Sequence, residues 1–150
     1  LLGTDMVKGE STLVAAYDDA DGITAAFNLN LLHRLNRELG ADFDTANFHH
    51  LARWNRVESR IEMHLESTRG QCVRIAAAHL DLHFEKRETI HTENSYKFTF
   101  ETIRILLEDA GFDPEQTWTD ARRWYAVTLA RIRQRSHAKA KKINGAHRMA

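Results

Sequence analysis

The stretch HTENSYKF, residues 91–98, decides how the chain can be arranged, because it joins two regions of different pattern. A strand-like run, Leu80–Phe84, precedes it, and a helical run begins at Phe100. In an extended chain, side chains alternate between two faces with a period of two residues. If the stretch is extended, the side chains that point to one face are His91, Glu93, Ser95 and Lys97.

Glu93 and Ser95 form a candidate binding pair on this face. In a strand, their Cα atoms would lie roughly 6.5–7 Å apart. A carboxylate only accepts hydrogen bonds, whereas a hydroxyl both donates and accepts them. Such a pair can hold a small ring that carries a donor on one edge, and a neutral imidazole is such a ring. A polar strand face in water is the simpler interpretation, and these residues alone leave both open.

The composition is that of an ordinary globular protein and excludes several classes of function. The chain has 150 residues, enough for one domain or for a large piece of a bigger one. Its 21 basic and 21 acidic side chains cancel, so no electrostatic argument favours nucleic acid or a membrane surface. No apolar run approaches the length of a membrane helix. The one cysteine, Cys72, excludes an internal disulfide and fits a reducing, cytoplasmic setting.

The pattern of the first residues predicts a strand that is already under way at residue 1. LLGTDMV, residues 1–7, is nearly continuous in apolar character, which is typical of a buried strand of the parallel type. Because the chain does not open on methionine, we expect it to be the later part of a longer protein. Gly3 and Asp5 would lie where an open α/β sheet usually binds ligands. A short helix over residues 11–17, capped by Ser11, is predicted next.

Apolar residues at helical spacing predict a longer helix over Ile23–Leu39. Gly40 is a natural C-terminal stop for it. Asn28 and Asn30 are poor helix formers inside this segment. A close approach to a ligand or a loop would explain them, although simple tolerance is the plainer interpretation.

The middle of the chain changes to a period of two. Asp44 or Thr45 is first predicted to cap a short helix that carries Phe48 and Leu51. Strands are then predicted at residues 60–67, 73–77 and 80–84. The first of them has an apolar face formed by Ile61, Met63 and Leu65. With residues 1–7, these strands are expected to make a small antiparallel sheet.

The last third of the chain reads as a helix followed by two strands. Thr99 or Thr102 is predicted to begin the helix, which ends at residues 110–112. Asp113-Pro114 is predicted to be a turn. The closing strands are expected at residues 117–120 and 124–132, and the basic tail at 134–150 is expected to be disordered.

The nine histidines raise the possibility of a metal site. His79, Asp81 and His83 alternate on a predicted strand and could present two imidazoles and a carboxylate to zinc. The polar run continues beyond them, and no fourth ligand lies at a spacing typical of a zinc site. A solvated strand face is therefore the better interpretation. His49 and His50 are adjacent and would point apart on any regular element. No metal site is therefore predicted.

Three segments, in order along the chain, carry a resemblance to a known family: LGTDMVK (2–8), AYDDADGITAAFNLN (16–30) and IHTENSYKF (90–98). LNRELGADF (35–43) and RIEMHL (60–65) fit the same pattern. Together they resemble the histidine-specific, S-adenosylmethionine-dependent methyltransferases of the ergothioneine pathway. The resemblance runs from residue 1 to about residue 133 and excludes the basic tail.

The resemblance implies an enzyme that adds three methyl groups to the α-amino group of L-histidine, giving hercynine. It also implies an α/β fold, in which this chain is the end of a class I, Rossmann-like methyltransferase sheet with an inserted α+β substrate-binding domain. The isolated chain would be α+β. Residues 1–9 and 99–133 would belong to the sheet, and residues 10–98 to the insertion. S-adenosylmethionine would be bound mainly by residues upstream of this chain, so this piece alone is expected to be inactive.

The same resemblance implies roles for five residues. Tyr17 would hold the substrate carboxylate, and Glu93 and Ser95 would bind the imidazole. Met63, which on its own pattern is most simply a core residue, would line the ring pocket, and Thr24 would lie near the substrate. No catalytic or cofactor-binding residue is implied within this chain.

Two other functions remain open from the sequence. The chain could be a non-catalytic domain that binds a small molecule and keeps the pocket without the chemistry. It could also belong to a methyltransferase of the same family that acts on another amino acid or amine. The sequence does not determine the oligomeric state.

Overall fold

The computed structural model describes residues 1–133, and the predicted tail at 134–150 lies outside the described residues. The described part mixes helices with antiparallel strands, which confirms the α+β expectation. The helices are α1 (Glu10–Ala15), α2 (Ile23–Leu39) and α3 (Phe100–Asp109). The strands are β1 (Leu2–Asp5), β2 (Phe48–Asn55), β3 (Arg60–Ser67), β4 (Gln71–Ile75), β5 (Leu80–Phe84), β6 (Thr89–Tyr96), β7 (Phe112–Thr119) and β8 (Tyr125–Ile132).

One sheet has the strand order β1-β8-β7, with β8 antiparallel to both neighbours. Helix α3 covers one face of this sheet, and the core between them is formed by Met6, Ile103, Leu107 and Ala126. The expectation that residues 1–7 join the middle strands is therefore wrong. The partner of Leu2 is Thr128, near the far end of the described chain, and a local apolar pattern contains no information about so distant a partner.

A second sheet has the order β2-β3-β6 and is amphipathic. As predicted, Ile61, Met63 and Leu65 are buried on one face of β3. Helices α1 and α2 pack on this sheet, and the strands β4 and β5 form a separate hairpin. The largest core cluster joins the hairpin, α2 and the sheet; it contains Leu32, Phe43, Phe48, Leu65, Val73, Ile75 and Phe84.

A β-bulge in β6 changes the face on which the predicted polar residues lie. Opposite β3, Glu93 pairs with Met63 and His91 pairs with His64, so Thr92 is an extra residue in the register. Neighbouring residues of β3 point to opposite faces, and their partners do the same. The expectation that His91 shares a face with Glu93 is therefore wrong.

The helix ends follow local chemistry at most positions. Gly40 ends α2 in the left-handed region, with φ of 59°, as its sequence position predicted. Thr99 and Thr102, the two predicted starting residues of α3, bond each other in a capping box. Ser11 is not a cap: α1 begins at Glu10 after Gly9, and no side chain caps it.

Two other local predictions, a short helix after Asp44 and a turn at Asp113-Pro114, are wrong. Asp44 does accept a hydrogen bond from Ala46, but it starts only the single turn Thr45–Asn47. The strand β2 follows at Phe48, because Phe48 packs in the main core. The predicted turn at Asp113-Pro114 lies inside β7. A proline is tolerated there because β7 is an edge strand with an irregular register after Pro114.

Within residues 1–133, the structure contains no helix that combines the length and the apolar character needed to cross a bilayer.

Candidate functional site

Tyr17, which follows α1, meets Ser95 of β6 and Lys97, which follows β6. The Tyr17 hydroxyl lies 2.6 Å from the Ser95 hydroxyl. The Lys97 ammonium donates to both oxygens, at 2.7 Å each. The Lys97 side chain is 0% exposed, so this cation is wholly enclosed. Two hydroxyls that the sequence places far apart therefore share one buried positive charge.

The carboxylate of Asp5 balances that charge. Its Oδ2 lies 3.0 Å from Lys97 Nζ, and Lys8 pairs with the other oxygen. Burial raises the Asp5 pKa, but the hydrogen bonds and charges of the two lysines outweigh it and hold the pKa below its ordinary value. Main-chain bonds bring the elements together, since Phe98 donates to the Asp5 carbonyl oxygen at 2.9 Å.

Glu93 lies on the same face of β6 as Ser95, because their partners Met63 and Ile61 share one face of β3. It borders a cavity of about 200 Å³ between α2 and β6. Drug-sized ligands usually occupy about 300–1,000 Å³, so this space suits a small ring. The lining residues are Phe27, Asn28, Asn30, Leu31, Arg34, Thr92 and Glu93. Ser95 and Tyr17 lie outside this lining.

Asn28 fixes α2 against the sheet beside this cavity. It is 3% exposed, and its amide donates to the main-chain oxygen of His64 and to Nδ1 of His50, at 3.0 Å each. Because His50 Nδ1 accepts, its Nε2–H is the donor to the Tyr17 carbonyl oxygen at 2.7 Å. The end of α1, the cavity wall and β2 are thus held in one hydrogen-bonded chain.

Met63 packs near Tyr17, whereas Thr24 is bonded elsewhere. Met63 is 3% exposed and packs in a core cluster against which Tyr17 also packs. Thr24 lies in the first turn of α2, and its N–H donates to Asp19 at 2.8 Å. Hydrogen bonds from Thr24 and from the N–H of Ile23 lower the pKa of Asp19 to about 2. The described hydrogen bonds do not connect Thr24 with Tyr17, Ser95 or Glu93.

The family description "Histidine-specific methyltransferase, SAM-dependent" matches residues 1–132. The chain belongs to this family. The chain is 48% identical over 130 residues to the histidine N-alpha-methyltransferase of Mycolicibacterium smegmatis and 46% identical to that of Mycobacterium tuberculosis. Each alignment covers 87% of this chain and 40% of the relative. The chain therefore spans about two fifths of the length of these methyltransferases.

The sequence alone identified only some of the residues around the site. Lys97 was expected on the face of Ser95, and Asp5 near a ligand-binding edge, but nothing indicated that the two pair. Asn28 was recognised as a poor helix former that a close approach to a ligand or a loop would explain, but its partners His50 and His64 were not indicated. His49 and His50 do point apart: His49 lies 3.5 Å from Glu66, whereas His50 turns inward. The missing signal in each case was the identity of the distant partner.

Potential metal ligands lie away from the Tyr17–Ser95–Lys97 cluster. His79, Asp81 and His83 are all exposed, and His79 lies outside β5 in a left-handed conformation, so the structure does not join them in one site. Glu62, His64 and His91 have ligand atoms within 4.8 Å of one another. Asn55 and Arg60 already donate to Glu62 and lower its pKa to about 2, so a metal ion would compete with a guanidinium there.

Proposed function

We propose that the full-length protein transfers methyl groups from S-adenosylmethionine to the α-amino group of L-histidine, giving hercynine. The observation that carries this proposal is the Ser95–Tyr17 hydroxyl pair, which lies on the same face of β6 as the Glu93 carboxylate and its small cavity. The family membership and the names of the two relatives support the same chemistry. A cytoplasmic location, expected from cysteine usage, stays a prediction.

In this proposal, the imidazole is bound through both of its nitrogens. Glu93 accepts a hydrogen bond from a ring N–H, and a bond to a charged acceptor is stronger than a neutral one. Ser95 accepts a hydrogen bond from the other ring nitrogen of the protonated imidazole. A site that bonds both edges of a ring leaves its polar groups unpaired when an analogue lacks them, and such sites discriminate by about 10⁴-fold or more.

The remaining contacts orient the rest of the amino acid. Tyr17 would donate to the substrate carboxylate, and Met63 would form the apolar floor under the ring. Thr24 would approach the substrate from the first turn of α2. Holding the amine in line with the methyl group lowers the barrier by positioning, for which effective molarities reach about 10⁵ M or more.

The described residues do not fit the methyl donor itself. The glycines of the chain are scattered singly, and none of the described turns forms a glycine-rich cradle for a nucleoside. We infer that S-adenosylmethionine, which supplies the methyl group when bound, is held mainly by residues upstream of this chain. We also propose that residues 1–9 and 99–133 complete a Rossmann-like sheet of class I type and that residues 10–98 form the substrate-binding insertion.

The test is the variant Glu93→Gln in the full-length protein, followed by calorimetric titration with L-histidine and with S-adenosylmethionine. Loss of a charged acceptor is expected to weaken histidine binding by about tenfold or more. The affinity for S-adenosylmethionine should stay within about twofold of the wild type, since Glu93 is assigned to the other ligand. Asn94→Ala is the matched control, because Asn94 neighbours Glu93 but pairs with Glu62 on the opposite face.

Unchanged histidine affinity in Glu93→Gln would contradict the assignment. Mass spectrometry of the wild-type reaction separates the other functions. Histidine binding without any methylated product would favour the non-catalytic domain. Methylation of another amine in place of histidine would favour a different substrate within the family.

A further inference from the structure

The Lys97 ammonium has no donor left for a ligand. A lysine ammonium has three N–H groups and accepts no hydrogen bonds. The three acceptors around Nζ are the Tyr17 hydroxyl at 2.7 Å, the Ser95 hydroxyl at 2.7 Å and Asp5 Oδ2 at 3.0 Å. Since the side chain is also 0% exposed, any effect of Lys97 on a ligand must pass through these neighbours.

The two hydroxyls can together offer one hydrogen to a ligand. Each oxygen accepts from Lys97, so each hydroxyl proton is available for another bond. The oxygens lie 2.6 Å apart, and one of the two protons therefore lies between them. If Ser95 donates to Tyr17, the free proton is that of the Tyr17 hydroxyl. The hydroxyl pair then has one proton left for a ligand.

The charge around this donor favours an anion. Asp5 is shared by Lys8 and Lys97, so these three side chains carry one formal positive charge in excess. The Lys97 ammonium also lies 4.5 Å from the centre of the Tyr17 ring. A hydroxyl that accepts from a cation is polarised and becomes a better donor, because hydrogen bonds in a chain strengthen one another.

We propose that Lys97 is a positioning residue that makes the site selective for ligands with a carboxylate, by acting through the Tyr17 hydroxyl. The proposal rests on the proposed function and deepens it, because it says how the site separates an amino acid from the corresponding amine. Lys97 itself does not touch the ligand. Its charge orients the hydroxyl protons, and the arriving carboxylate balances the net positive charge of Asp5, Lys8 and Lys97.

The experiment compares L-histidine with histamine, which has the same imidazole and amine but no carboxylate. Calorimetry on the full-length protein gives both dissociation constants for the wild type and for Lys97→Met. Lys97→Met should weaken histidine binding by about tenfold or more and histamine binding by less than about threefold. The ratio of the two constants is independent of how much protein is folded.

Lys8→Met is the matched control. Lys8 pairs with the same carboxylate as Lys97, but its described bonds do not reach Tyr17 or Ser95. Lys8→Met removes one positive charge beside Asp5 but leaves both bonds from Lys97 to the hydroxyls, so it should lower the ratio of histidine to histamine affinity by less than about threefold. If Lys8→Met lowers the ratio as Lys97→Met does, unpairing of Asp5 is the cause and the proposal is wrong. Equal losses for both ligands in Lys97→Met would overturn it as well.

A second pair of variants tests whether the effect of Lys97 on the ligand passes through Tyr17. It also replaces the first comparison if Lys97→Met does not fold. Lys97→Gln keeps amide donors but removes the charge, and it should lower the ratio in the wild-type background. In a Tyr17→Phe background, the same substitution should leave the ratio unchanged. A drop that persists in Tyr17→Phe would exclude the proposed route. A wild-type protein that binds neither ligand would instead overturn the proposed function.

Discussion

The side-chain amide of Asn28 lies 3.0 Å from Nδ1 of His50 and thereby ties helix α2 to strand β2. The same amide donates to the His64 carbonyl oxygen, and His50 in turn donates to the Tyr17 carbonyl oxygen. A single buried amide therefore positions both a wall of the cavity and the segment that carries Tyr17. The positions of the proposed ligand-binding groups therefore depend on a residue whose amide hydrogens are already bonded within the protein.

Asn28→Ala is expected to lower the free energy of unfolding by about 1–3 kcal/mol, because it leaves the buried His64 carbonyl and His50 Nδ1 without their donor. Asn30→Ala on the same helix is the control and should change stability by less than about 0.5 kcal/mol, since Asn30 is exposed. Both variants gain the same helix propensity, so urea unfolding curves isolate the hydrogen bonds. Equal stabilities would show that the amide bonds are not needed.

His64 gives the protein a pH dependence near neutrality. Burial lowers the pKa of His64 below its ordinary value of 6.5, and the bond to Glu62 only partly opposes this, while the charges of His91 and Arg53 add to the lowering. The unfolded chain therefore takes up the proton first. The contribution to stability is fully present above pH 6.5 and is lost as the pH falls through the folded-state pKa.

His64→Gln should flatten this part of the profile when urea unfolding is measured from pH 8 to pH 5. A wild-type stability that does not change between pH 7 and pH 5 would contradict the expected role of His64. So would an unaltered slope in His64→Gln.

Substitutions at two hydroxyl residues should have different effects on stability, because α3 has a capping box and the start of α1 has no side-chain cap. Thr99→Ala removes the oxygen that accepts from the Thr102 N–H and should cost about 1 kcal/mol. Ser11→Ala should be neutral within about 0.5 kcal/mol, because Ser11 is exposed and caps nothing. Thermal and urea unfolding of both variants test this pair. A larger loss for Ser11→Ala would reverse the assignment of the caps.

Much of the fold was predictable because its signals are local. The bounds of α2 and β5, the buried face of β3 and the capping threonines of α3 were predicted from spacing and residue type. Phe48 and Pro114 were assigned wrongly, because burial in the main core and an edge position in a sheet overrode their local preference. The sheet partner of β1 had no local signal at all.

The candidate site was also predictable only in part. Glu93, Ser95, Tyr17, Met63 and Thr24 were selected by their place in family motifs, and among these five the described hydrogen bonds join Tyr17 to Ser95. The bulge at Thr92 turned His91 away from Glu93, since one extra residue reverses the alternation of faces. A bulge depends on the register with the neighbouring strand, and the residues of β6 do not encode that register by themselves.

The amino-acid sequence by itself determined the family, the main helices and strands, and which polar residues are candidates for binding histidine. These follow from patterns that span a few residues each. Only the tertiary structure decided that Lys97 is buried between Asp5, Tyr17 and Ser95, because Tyr17 and Lys97 lie 80 positions apart. The enclosed charge is stable only when three separate elements pack around it, and that packing is a property of the folded chain as a whole.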